Sequence, residues 1–297
     1  MTSATSSVNA VKLGLDSYSF HRFYGETTAW EQLPETKWTL ADFLDFCSRE
    51  HIKLASIQTS YMPSNDEVVR DITRWKSEDA EREVVFTWGH PNGYDGGRNL
   101  QAHQSVLDYL ELAARVEATQ MRIVLGNQKN FADPIAQRAQ LLRPYLIEAA
   151  TRAAELGIRL SIENHADFPV MRLVDLIDSV GIPALGLCLD TGNARRVGDD
   201  QLELLRTLDL SRVFMIQLKE TLCLPGHEAP TGWWPTVFYG QGDTRADLCL
   251  AILRERQFTD PIVIELSNLN TGLDEMTVAR QAIAFTRSEL EANKNVT

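Results

Sequence analysis

The sequence predicts a single (β/α)8 barrel. Eight short apolar runs of strand length recur along the chain, a stretch with helical spacing follows each, and no linker rich in Pro, Gly or Ser divides the 297 residues. A doubly wound open sheet would alternate in the same way. It usually carries a Gly-rich phosphate loop after its first strand, and none stands here. The barrel is expected over residues 12–293, behind a flexible tail at 1–10.

The strand-like runs lie at 12–17, 53–59, 84–89, 121–126, 159–164, 185–190, 213–218 and 261–266. They are nearly continuous in Ile, Val and Leu, as strands buried on both faces are. After the first run, Leu40, Phe43, Leu44 and Cys47 form an i, i+3, i+4, i+7 stripe, with Thr39 placed to cap it. A less periodic helix is expected at 65–77. Val106, Tyr109, Leu110 and Ala113 form the stripe after the third run. Helices then centre on 136–156, stopped by Gly157, and on 171–180, stopped by Gly181. The last three centre on 201–208, 246–256 and 275–292. The longest irregular stretch is 221–244, and a connection of that length is usually a lid or binding loop. A surface insertion without a role is the alternative.

Acidic residues outnumber basic ones 41 to 29, for a formal charge of −12, which argues against nucleic acid as a partner. The four cysteines, at 47, 188, 223 and 249, form no C-x-x-C pair and read as reduced packing thiols. The N-terminus has no apolar signal region, and no apolar run approaches the roughly 18 residues of a membrane helix. An intracellular, cytoplasmic protein with no membrane partner is expected.

Active sites of such barrels lie at the C-terminal ends of the strands. The last four strand ends carry Glu163, Asp190, Gln217 and Glu265, and Glu163 to Asp190 and Asp190 to Gln217 are both 27 residues. Each interval is one strand–helix unit, so neighbouring strands can aim these side chains at one spot. Three converging carboxylates repel one another, and a divalent cation relieves this. Three carboxylates with an amide oxygen form an all-oxygen shell suited to Mg²⁺ or Mn²⁺. Alternatively, each is a solvated loop acid or the partner of an arginine such as Arg195 or Arg196.

The stretches IENHAD (162–167), LCLDTGN (187–193), IQLKE (216–220) and GQGD (240–243) resemble the xylose isomerase-like barrels. They are similar to the sugar phosphate isomerase/epimerase group in particular, and the likeness runs from LGLDSYSFH (13–21) to IVIELS (262–267). That group includes ketose 3-epimerases, inosose and 3-dehydroshikimate dehydratases, C-glycoside deglycosidase subunits and 3-oxo-sugar-acid decarboxylases. The resemblance implies that Glu163, Asp190 and Glu265 are metal-binding carboxylates. Gln217 stands where many members have a histidine ligand, and in this resembles the dehydratases. Asn193 stands where ketose epimerases have a histidine that contacts substrate. The abasic-site endonuclease branch needs several histidines around zinc, and the one expected at 217 is absent.

The resemblance further implies abstraction of a proton α to a carbonyl of a small sugar or keto-sugar, through an enediolate bound to Mn²⁺ or Mg²⁺. Lys219 would help hold the enediolate. His165, two residues beyond Glu163, is the first choice of base because a histidine pKa lies near working pH; packing is its alternative. His90 is the second acid/base candidate, and Glu163 and Glu265 could exchange protons themselves. The products would mark an isomerase or epimerase, or, by elimination or decarboxylation, a lyase. Tyr18 and His21 could meet sugar hydroxyls, Trp233 and Trp234 could cover a sugar face or make an oligomer contact, and Arg195 with Arg196 could bind an anionic group. Trp88 is expected to pack. A homo-oligomer is expected, with a small accessory subunit and a non-catalytic partner barrel as further readings.

Overall fold

Parallel strands β1 to β8 pair in chain order, and β8 closes onto β1, in the computed structural model, which describes residues 11–28 and 30–292. The strands are β1 Leu13–Asp16, β2 Leu54–Gln58, β3 Glu83–Trp88, β4 Gln120–Val124, β5 Arg159–Glu163, β6 Leu185–Asp190, β7 Val213–Leu218 and β8 Ile262–Ile264. The helices are α1 Leu40–Arg49, α2 Asn65–Ser77, α3 His103–Arg115, α4 Ile135–Glu155, α5 Val170–Val180, α6 Thr191–Arg196, α7 Gln201–Thr207, α8 Ala246–Glu255 and α9 Glu275–Glu291. The expected (β/α)8 barrel is therefore the fold. The unit after β6 holds two helices, and β1 runs into a 3-10 segment, Ser17–Tyr24, before the chain reaches α1. The tail expected at 1–10, and Asn293 at the far end, lie outside the described residues.

Local chemistry sets the helix ends. Thr39 and Asp42 form a reciprocal capping box on α1, satisfying two otherwise orphaned backbone N–H groups. Gly181 ends α5 in the left-handed conformation that a side chain disfavours.

The strand period places the site. Leu54, Val85, Cys188, Met215 and Val263 form a cluster separate from the main core. Residues of a strand alternate between faces, so the next side chains on that face are two positions on. They are Ser56, Thr87, Asp190, Gln217 and Glu265. An apolar floor inside the barrel thus carries a polar layer toward the C-terminal mouth. The alternate positions, Ile57, Phe86, Leu189, Ile216 and Ile264, face the other way and belong to the larger core against the helices. Each such apolar side chain stabilises the fold by about 1.5–3 kcal/mol on full burial.

Candidate active site

The motif residues converge at this mouth and brace one another. Asn164 bridges β5 to β6: its Nδ2 donates to the carbonyl of Asp190 (2.9 Å) and its Oδ1 accepts from the Asp190 amide (2.7 Å). Asp190 caps α6 by accepting the Asn193 amide at 2.8 Å. Glu220 is buried and accepts the backbone N–H groups of Gly240, Arg245 and Ala246 at 3.0–3.1 Å, which pins the GQGD turn beside β7. A Cβ at Gly242 would stand 2.5 Å from that carboxylate, so glycine is required where the turn passes.

Within this frame Glu163, Asp190 and Glu265 are buried around two cations. The Lys219 ammonium lies 2.6 Å from Asp190 Oδ2 and 2.7 Å from Glu265 Oε1. The guanidinium of Arg122, on β4, lies 2.9 Å from Glu163 Oε2, an ion contact out of line for a hydrogen bond, and 3.8 Å from Glu265. Gln58 accepts from Arg122 at 3.0 Å when its amide nitrogen is turned to Thr87. Two amides complete the cluster. Asn193 Nδ2 donates to Glu163 (2.9 Å) and Asp190 (3.0 Å). Gln217 Nε2 donates to Glu265, while its oxygen accepts from the Cys188 thiol at 3.2 Å.

The charges follow this wiring. Burial raises Asp190 to about 6, against the pull of Lys219. Burial also raises Glu163, with Arg122 opposing. For Glu265 burial raises the pKa, but Lys219 and Arg122 together outweigh it and hold the carboxyl below its ordinary value. Burial disfavours the charged form of Lys219, and the surrounding carboxylates overcome this and raise it. Asp16, at the end of β1, is pushed to about 7 by burial and by the Glu265 charge.

The four residues expected to ligate a metal are thus brought together, but not as a ligand shell. Lys219 stands between Asp190 and Glu265, and Gln217 turns its NH₂ group, not its oxygen, to Glu265. The arrangement does not fit a divalent cation. Among the described residues, no group of three or more His, Cys, Asp or Glu side chains is placed to hold one.

A pocket of about 550 Å³ opens above the cluster, reaching Glu163, Glu265, Lys219, Arg122, Asn193 and His165. His165, the first choice of base, lines the pocket: its Nδ1 bonds the Gly126 carbonyl at 2.8 Å, and burial pushes its pKa down to about 3. His90 lines the pocket as half of a dyad, its Nε2 2.7 Å from Glu26. Tyr18 lies against the His90 ring, with centroids 4.5 Å apart. Trp233 and Trp234 also line the pocket, and Trp233 packs edge-on against Trp30. Trp88 packs in the core.

Two expected contacts are not brought there. Arg196, not Arg195, lines the pocket, held by the carbonyls of Pro230 and Gly232, because the short turn of α6 rotates the two arginines apart. His21 is carried away by the 3-10 segment and bonds Glu31 at 3.0 Å. Burial lowers the His21 pKa, but the Glu31 hydrogen bond and charge more than offset this and raise it; Glu31 falls to about 2. The His21 contribution is full below 6.5 and is lost as pH rises through the raised value. The Glu31 contribution is full above 4.5 and is lost as pH falls toward about 2. The melting-temperature advantage of the native chain over Glu31→Gln is therefore expected to peak between pH 4.5 and 6.5 and to shrink on both sides.

Sequence reasoning missed Arg122, Gln58 and Glu26. Arg122 had a readable signal, a charged residue inside the apolar run MRIVLG.

Comparison with known proteins places this geometry. The family model described as xylose isomerase-like TIM barrel matches residues 8–289. A solved D-tagatose 3-epimerase-like protein superposes with a TM-score of 0.72 at 14% identity, covering 97% of this chain and 100% of its own. The IolI protein, solved with a zinc atom, gives 0.70 at 16% identity, covering 97% and 100%. The probable 3-DHS dehydratase AsbF of Bacillus anthracis gives 0.67 at 14% identity, covering 96% and 100%. A search of curated proteins finds no match. At these identities the structural likenesses speak to fold alone. No helix among the described residues is long and apolar enough to cross a membrane. With the family model spanning nearly all of its length, the chain belongs to the xylose isomerase-like TIM-barrel family.

Proposed function

We propose that this barrel is an isomerase or epimerase that removes a proton α to a carbonyl of a small sugar or keto-sugar and returns it to the carbon skeleton. One observation carries the reading: Glu163 on β5 and Glu265 after β8 both open to one pocket, with Arg122 between them and Lys219 against Glu265. In this reading one carboxylate takes the carbon-bound proton, and negative charge grows on the carbonyl oxygen. Lys219 and Arg122 stabilise that charge through a low-dielectric medium. His165, fixed and neutral, orients a substrate hydroxyl. Trp233 and Trp234 supply an apolar wall that excludes water.

The family resemblance adds Mn²⁺ or Mg²⁺ to this chemistry. The side chains as arranged do not fit such an ion, and Lys219 and Arg122 supply the positive charge.

One feature favours a lyase as the second reading. The His90–Glu26 dyad at the pocket wall could protonate a leaving hydroxyl, which turns proton abstraction into β-elimination. The test is a panel of keto-sugars and sugar acids incubated with the protein in D₂O and followed by proton NMR. Deuterium entering the position next to a carbonyl supports proton abstraction; an inverted centre marks an epimerase, and a new double bond marks a dehydratase. No exchange with any panel member would count against the proposal.

A further inference from the structure

We infer that Lys219 is the resident cation of this site, in the place the sequence assigns to a divalent metal, and that the chain neither retains nor requires such a metal. The inference rests on the proposed site being the reacting one.

All six carboxylate oxygens of Glu163, Asp190 and Glu265 meet a protein nitrogen. Glu163 Oε1 meets Asn193, and Oε2 meets Arg122. Asp190 Oδ1 meets the Asn193 amide, and Oδ2 meets both Lys219 and the Asn193 side chain. Glu265 Oε1 meets Lys219, and Oε2 meets Gln217. A metal would have to evict the ammonium and turn two amides. The Gln217 amide is tied on its other side by the Cys188 thiol.

The lysine is also given a path. A Cβ at Gly192 would stand 3.0 Å from Lys219 Cβ and 3.2 Å from its Cδ, so the turn after β6 leaves room for the lysine stem. Arg122 adds a second fixed positive charge within 3.8 Å of Glu265, which repels any incoming cation. The position usually filled by a histidine ligand in this family instead holds a glutamine that donates. These features together describe a site neutralised from within.

The test uses the full native chain. Metal content by mass spectrometry, and the free Mn²⁺ signal by electron paramagnetic resonance, are read without substrate. Expected is well below one equivalent of divalent metal per chain, an undiminished free Mn²⁺ signal, and no rise in Tm with MnCl₂, MgCl₂ or ZnCl₂ nor fall with EDTA. Lys219→Met frees Asp190 and Glu265 to share a cation, so this variant is expected to gain a Mn²⁺-dependent rise in Tm and to take up one equivalent. If it does not fold, Lys219→Gln takes its place. One tightly bound Mn²⁺, Mg²⁺ or Zn²⁺ in the native chain overturns the inference. So does deuterium exchange that EDTA abolishes and Mn²⁺ restores. Variants with no new Mn²⁺ response overturn the lysine's role. A substrate panel with no exchange sinks the sugar reading and leaves the metal result standing.

Discussion

Epimer interconversion, and proton exchange with D₂O for one of the two epimers, is expected to fall by about 10²–10⁴-fold in Glu265→Gln and in Glu163→Gln, the range a positioned general acid or base supplies. Both changes are isosteric, and an amide can still accept from Lys219 or Arg122, so the fold and pocket shape are retained. The two variants also separate the reaction classes. In a two-base epimerase each carboxylate serves one face of the carbon. Glu163→Gln then keeps exchange with one epimer, Glu265→Gln keeps it with the other, and neither interconverts them. In a one-base dehydratase only one of the two variants loses exchange, and His90→Gln lowers elimination without lowering exchange. Proton NMR on each pure epimer reads all of these results. Unchanged rates in both carboxylate variants would remove the pair from the mechanism.

How much of this site was readable beforehand depends on the range of the signal. The strands were readable because their apolar runs are local, and the 27-residue spacing fixed Glu163, Asp190 and Gln217 at one depth. The two-residue period did the rest: Cys188 below Asp190, Met215 below Gln217 and Val263 below Glu265 put an apolar floor beneath each polar side chain. The cation arrangement is different in kind. Whether Lys219 points into solvent or lies between Asp190 and Glu265 depends on the room at Gly192, which no spacing encodes. His21 shows the converse failure. Placed by its distance from β1, it was expected at the pocket, but the 3-10 segment changes the period from 2 to about 3 residues and swings it to Glu31. Arg122 was missed for a third reason. The run MRIVLG reads as a strand on its apolar residues alone, whereas its buried guanidinium requires an acidic partner that only the neighbouring strands supply.

That requirement yields the largest stability effect to be expected in this molecule. Arg122 is 2% exposed and serves Glu163, Glu265 and Gln58 at once. Arg122→Met keeps much of the volume and removes the charge. Glu163 then keeps only the Asn193 amide, and a carboxylate that is 1% exposed has no cation beside it. Breaking a buried pair by removing one partner costs about 3–5 kcal/mol. A drop of that size is expected in the unfolding free energy from urea titration, with little change in slope. If the cost arises from the stranded charge, it can be undone from the other side. Adding Glu163→Gln to Arg122→Met replaces the orphaned carboxylate by a neutral amide, and the double variant should recover a large part of the loss, giving a coupling of about 1–3 kcal/mol. A double variant no more stable than the sum of the single changes would mean that Arg122 acts through packing of its stem. The lost stability would then say nothing about the charges in the barrel mouth.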